Sequence, residues 1–392
     1  MINLLTYTSL YPNSIQTRHG IFIENRVRQL VMTGEVKTRV LSPVPWFPLK
    51  SELFGSYQQF AQIPAYENRY GIEISHPRFA TIPKIGMSLA PWLMAAATYR
   101  VAKSLFINKQ FQIIDAHYFY PDGVAAALLG KWLGCPVVIS ARGTDINLIP
   151  DYTLPRRMII WAAEQAKAII TVCQSLKDRL ISLGVANNKI TVLPNGVDNQ
   201  LFHPGDRSML RKQHQLTQPT LLFVGNLIPL KGVDLIIQSL AKLPDYKLIV
   251  VGDGTEKSKL QKLAANLHVS DRVRFVGTLT QQQLVEYYTI ADMLLLPSSR
   301  EGCANVLLEA LSCGTPVIAT AVGGSPDIVA DPSAGLLVQQ RTADALTSAI
   351  QQLSANMPDS VNVRNYSQRF SWSPIIKQQF DIYQMVINNY LG

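Results

Sequence analysis

No stretch of this 392-residue chain offers about 18 consecutive uncharged apolar positions, so no membrane-spanning helix is expected. The longest candidate, Ile85 to Tyr99, is too short and is interrupted by Pro91. The first residues, Met1-Ile2-Asn3-Leu4-Leu5, carry no basic cluster and run directly into a strand pattern. That gives no sign of a secretion signal and points to a cytoplasmic protein. Cysteine is scarce. Cys135, Cys173, Cys303 and Cys313 show no metal-ligand spacing and stand among apolar neighbours, as buried thiols in a reducing compartment do. The chain has no Asp-x-Asp pair to hold a divalent ion. No G-x-G-x-x-G follows the strand that opens either half, which speaks against an NAD-dependent oxidoreductase. No basic run with interleaved aromatics and no zinc or RNA-binding signature appears, so nucleic acid is not an expected partner. Only 16% of residues are charged, against 47% hydrophobic. That balance describes a globular chain with interior for two or three domains.

The positive charge is unevenly spread. Residues 1–195 hold 20 Lys and Arg against 11 Asp and Glu, whereas residues 196–392 hold 16 of each. The whole excess of +9 therefore lies in the first half. That half should meet something anionic, such as a phosphorylated acceptor or an anionic membrane surface.

Strand and helix patterns alternate on both sides of residue 195. In the first half, a short apolar run from Asn3 to Thr8 leads through a loop to Gly20 and a helix, the entry of a doubly wound domain. His117 ends another strand run, Ile113 to His117, at the edge where open α/β sheets bind ligands. Arg142 follows the strand run Val137 to Ser140, with Asp145 placed to orient it. Arginine cannot serve as a base, but it can stabilise phosphate charge or fix an anionic acceptor. In the second half, Leu221 to Gly225 leads through Asn226 to Lys231-Gly232, a strand-loop-helix entry of the phosphate-binding kind. The densest stretch is Arg300 to Gly324. It reads as Glu301, a small-residue turn (Gly302-Cys303-Ala304-Asn305), a helix from Val306 bearing Glu309, a Gly-Thr-Pro stop, a buried strand and Gly323-Gly324. Backbone amides at that helix start make an anion site, and Glu309 lies about two turns beyond Glu301.

This stretch resembles the Glu-x7-Glu signature of the retaining glycosyltransferases of family 4, of the kind that build surface polysaccharides such as teichuronic acid. Further resemblances run through SLYPNSIQTRHGIFIENRVRQL, DAHYFYPDG, the NGVD-x3-F-x-P junction at Asn195 to Pro204, and Gly323-Gly324-Ser325-Pro326-Asp327. The likeness covers nearly the whole chain. It implies an α/β fold with two Rossmann-like domains facing across a cleft (GT-B). Residues 1–195 would bind acceptor, 196–370 would bind a nucleotide sugar, and 371–392 would form a helix packing back on the first domain. The resemblance assigns Glu301 and the amides of Gly302, Cys303, Ala304, Asn305 and Val306 to the donor sugar. It gives Glu309 the ribose, Lys231 the diphosphate with Asn226 nearby, and Gly20 a close approach to that diphosphate. His117 and Arg142 fall on the acceptor-side loops beside the reacting sugar. Relatives often carry His where Arg142 stands and Arg where Asn226 stands, so Arg142 is a source of compensating charge.

The expected reaction moves a sugar from a UDP- or GDP-linked donor to an acceptor hydroxyl with retention. It needs no cofactor and no metal. The expected acceptor is a carbohydrate or a lipid-linked intermediate. Residues 43–92 read as an irregular, Pro- and aromatic-rich region. There Trp46, Phe47, Phe54 and Trp92 accompany Lys50, Arg78 and Lys84, a mix that suits an anionic membrane surface and a peripheral enzyme on its inner face. Two alternatives stay open: a nucleotide-sugar epimerase or hydrolase on the same fold, and a non-catalytic carbohydrate- or nucleotide-binding member.

Overall fold

The computed structural model describes residues 1–46, 56–80 and 86–391. Of the aromatic and basic loop residues named above, Phe47, Lys50, Phe54 and Lys84 lie outside the described residues. The chain divides into two compact units, Met1–Asn195 with Ser373–Gly392, and Gly196–Trp372.

The strands of the first unit are β1 (Ile2–Tyr7), β2 (Val36–Leu41), β3 (Val44–Trp46), β4 (Tyr66–Arg69), β5 (Ile72–Ser75), β6 (Arg78–Ala80), β7 (Ile113–His117), β8 (Val137–Ala141), β9 (Ala168–Thr171) and β10 (Ile190–Val192). Eight of them form one sheet in the order β10-β9-β8-β7-β1-β2-β5-β4. Only β4 runs antiparallel in it. β7, β8 and β9 are buried at every position, so they read as unbroken apolar runs interrupted by a few polar residues. The sheet fans out in both directions from β1 and β7, which places a topological switch between these two strands.

The region expected to be irregular, residues 43–92, holds regular structure among its described residues. It contributes β3 and β6, which pair in a small sheet of their own, and the hairpin β4–β5. The hairpin turn places Tyr70 and Gly71 at positive φ, 54° and 79°. A tight hairpin turn of that hand needs both, and a tyrosine in that role gives no warning in sequence. After β7 a kinked turn over Phe119–Gly123 leads into a helix that begins at Val124.

The second unit contains β11 (Thr220–Val224), β12 (Lys247–Val251), β13 (Val273–Gly277), β14 (Met293–Leu296), β15 (Val317–Thr320) and β16 (Gly335–Val338). All pair in parallel, in the order β13-β12-β11-β14-β15-β16. Counted from its own first strand this is 3-2-1-4-5-6, the dinucleotide-fold order, with its switch between β11 and β14. Helices such as Val233–Ala241 and Ala343–Ala355 cover the sheet with one apolar stripe each. Among the described residues, no helix is long and apolar enough to cross a membrane.

Candidate active site

In the second unit the loops that leave β11, β14 and β15 emerge at one edge of the sheet, because all three strands are parallel. Lys231 follows β11 and Glu301 follows β14, so the two flank the switch point. Their side chains meet: Lys231 Nζ lies 2.6 Å from Glu301 Oε1, both largely shielded. Three tethers, two of them between backbone groups, hold the loops together. Ser299 N–H donates to Leu230 O at 2.8 Å, and Gly324 N–H donates to Gly302 O at 2.8 Å. The Arg341 guanidinium donates to Pro297 O (2.8 Å) and Pro229 O (3.1 Å), one carbonyl from each of the two loops. Gly323 has a fixed reason to be glycine. Its φ is +57°, and a Cβ there would sit 2.1 Å from Glu301 O.

The helix Asn305–Ser312 starts after Ala304 with no side-chain cap. Its first turn, with Gly302 and Cys303 before it, forms a half-buried rim. Asn226 is exposed in the loop after β11. Glu309 stands on that helix, half-buried, and accepts a hydrogen bond from the Tyr288 hydroxyl to Oε2 at 2.7 Å. Burial pushes the Glu309 carboxyl up to about 7, against the opposing effect of the Tyr288 bond.

In the first unit, Asp115 and His117 are both on β7, two residues apart and so on one face. Both are fully buried. His117 Nε2 lies 3.0 Å from Asp115 Oδ2. Its Nδ1 receives a hydrogen bond from Arg142 Nη2. An acceptor Nδ1 puts the ring proton on Nε2, facing the carboxylate. Burial holds His117 below the usual imidazole range, so it is neutral. Asp115 is ionised: burial would raise it, but His117, Tyr383 and Arg142 outweigh that and lower it. Arg142 is 8% exposed. Its Nη1 donates to Asn195 Oδ1 at 3.2 Å, and its buried Nε has no hydrogen-bond partner among the described residues. Burial, with Arg26 next in weight, lowers its guanidinium to about 9.

Two expectations change here. His117 does not present a ring nitrogen outward, because both are engaged inside the unit; its geometry fits it to hold Arg142. Asp145 does not orient the guanidinium. Its carboxylate accepts the backbone N–H groups of Phe119 (2.6 Å), Gly143 (2.7 Å) and Arg142 (3.1 Å), so it shapes the loop instead. Gly20 opens the helix Ile21–Met32 at φ +72°, where a Cβ would meet Leu10 O at 2.1 Å. The fold alone thus requires glycine there. Sequence reasoning missed Tyr288, Arg341 and Tyr383, none of which belongs to a motif, and it marked Asn195 only as the start of the junction, not as a partner of Arg142. The cysteines form no disulfide, and all but the half-buried Cys303 are buried.

A family model described as Glycosyl transferases group 1 matches residues 206–370. A second, Glycosyltransferase Family 4, matches residues 59–201. A D-inositol 3-phosphate glycosyltransferase of Mycolicibacterium smegmatis is 32% identical over 71% of this chain and 68% of its own. The chain belongs to the family 4 glycosyltransferases. TuaC of Bacillus subtilis, a glycosyltransferase named for teichuronic acid biosynthesis, is 28% identical over 89% of this chain and 88% of its own. The structure of HepE from Anabaena in complex with UDP superposes with a TM-score of 0.74 at 20% identity, covering 98% of this glycosyltransferase and 100% of HepE. That likeness confirms the GT-B fold.

Proposed function

We propose that this glycosyltransferase moves a sugar from a UDP- or GDP-linked donor, with retention, to an anionic and lipid-linked acceptor in surface polysaccharide assembly. The observation that carries the donor half is the Lys231–Glu301 pair at the switch point of the second sheet, 2.6 Å apart. Open α/β sheets take their ligands at that place. A diphosphate arriving there meets a lysine, and the sugar beyond it meets a carboxylate. Glu301 and the amides from Gly302 to Val306 hold the sugar, and Glu309 holds the ribose. Negative charge builds on the leaving diphosphate as the glycosidic bond breaks. Lys231, already fixed in place, stabilises that charge without reorganising. No side-chain nucleophile is assigned. The acceptor hydroxyl attacks from the face the diphosphate leaves, and no metal is required.

The acceptor half rests on the first unit. Arg142 is a buried cation propped by His117 and Asn195 at the loop edge of its sheet. It faces an acceptor phosphate in this reading. The charge excess of residues 1–195 supports the same idea. So does the name of the mycobacterial relative, a D-inositol 3-phosphate glycosyltransferase. Trp46 and Trp92, 52% and 50% exposed, supply interfacial anchors for peripheral attachment to the inner membrane face.

The test is turnover by purified protein with a panel of UDP- and GDP-sugars. Nucleoside diphosphate release that depends on an added lipid-diphosphate sugar supports the proposal. Release without acceptor, or interconversion of the donor sugar, favours a hydrolase or an epimerase. Binding to anionic vesicles, reversed by salt, tests the membrane part alone.

A further inference from the structure

We propose that Tyr288 is a positioning residue for nucleotide recognition: it pins Glu309 by Oε2, so that Oε1 is presented to the ribose and a ribonucleotide is selected over its deoxy forms. The proposal rests on the donor reading of Glu309 given above. Tyr288 belongs to none of the motifs. It sits in the helix Gln281–Ile290 and is fully buried.

Three contacts fix it. Its hydroxyl donates to Glu309 Oε2 at 2.7 Å. Its backbone carbonyl accepts the Thr315 hydroxyl at 2.6 Å. Its ring packs edge-on against Phe202, centroids 6.1 Å apart. A buried phenol has one proton to give, and here it goes to the carboxylate. A carboxylate otherwise turns about its terminal torsion, which has broad minima. Bonding one oxygen to a residue that cannot move fixes the plane of the group. The other oxygen is then held in one direction, on a residue of the helix Asn305–Ser312 that is itself half-buried. A fixed acceptor rewards a ligand whose hydroxyl lies on that line. It leaves an unpaired acceptor against one that lacks the hydroxyl, and that asymmetry is how sites reject close analogues.

The experiment titrates UDP and GDP calorimetrically into the full-length protein, then carries the tighter one forward with its 2′-deoxy and 3′-deoxy forms. Wild type should discriminate against at least one deoxy form by about tenfold. Tyr288→Phe should weaken the ribonucleotide about five- to tenfold and that deoxy form less than twofold, so the preference collapses. A merely structural loss would weaken all forms alike, and that result overturns the proposal. So does an unaltered preference in Tyr288→Phe, or a wild type that does not discriminate. Glu309→Ala separates the two levels: an unchanged ribonucleotide affinity there refutes the donor reading itself. If thermal melting shows that Tyr288→Phe does not fold, a crystal structure of wild type with the nucleotide decides. Tyr288 on Oε2 with a ribose hydroxyl on Oε1 supports the proposal; ribose on Oε2 with the tyrosine turned away overturns it.

Discussion

Replacing Glu309 by glutamine should make this protein less sensitive to alkali. The Glu309 carboxyl is pushed up to about 7 by burial, whereas an unfolded chain leaves a glutamate near its ordinary value, roughly 4.3. A group whose folded pKa is raised contributes stability that is complete below the unfolded value and is lost as pH rises through the folded one. The Glu309 contribution is therefore smaller at pH 8 than at pH 6. Its neighbours do not compensate in that window. Burial lifts the Tyr288 hydroxyl and the Cys313 thiol far above it, so both stay neutral. Between pH 6 and 8 the loss amounts to at most ~1.3 kcal/mol. For a unit of this size that is a fall of ~3–5 °C in melting temperature. Asp122, buried in the first unit, is also raised to about 7 and adds a loss of the same sign. Wild type carries both slopes, and Glu309→Gln loses the Glu309 part. The assay is scanning calorimetry of both proteins at several pH values from 6 to 8, with the second-unit transition compared. Equal slopes in the two proteins would refute the reasoning, because then the carboxyl does not titrate in the fold.

Lys231→Met removes the partner of Glu301 and the cation proposed for the diphosphate. It should lower kcat/KM ~100-fold and weaken nucleoside diphosphate binding, both measurable by a coupled release assay and calorimetry. Arg142→Met should cost transfer at least ~100-fold while nucleotide affinity stays within about twofold, since Arg142 lies in the other unit; a large loss of nucleotide affinity would move its role. Gly323→Ala, forced to φ +57° with its Cβ on Glu301 O, should lower the melting temperature by ~5 °C or more and impair transfer together. Transfer should survive a chelator; among the described residues no group of three or more metal-ligating side chains occurs. Full loss restored by added metal would overturn that prediction.

Much of the fold could be read from sequence because parallel strands covered on both faces are continuous apolar runs. TLLFV, MLLL and VIAT are buried at every position. The β4–β5 hairpin could not. Its first strand alternates between exposed and half-buried, and its turn depends on Tyr70 at positive φ. The site divides in the same way. Glu301 and Glu309 sit in one short stretch with local spacing, so the motif exposes them. Tyr288, Arg341 and Tyr383 reach their partners only through tertiary packing, which leaves no local pattern, and the motif at Asn195 gives no sign of its contact with Arg142. His117 shows the limit most clearly. Its place at the end of β7 was legible, but not the direction of its side chain, which depends on Asp115 sharing its face and on Arg142 arriving from the neighbouring strand.

A crystal structure of the protein with an intact nucleotide sugar would test the central claim most directly. The account predicts the diphosphate against Lys231, the sugar against Glu301 and the amides that follow it, and the ribose against Glu309. A nucleotide bound elsewhere, such as at the loop edge of the first sheet with those three side chains untouched, would contradict it.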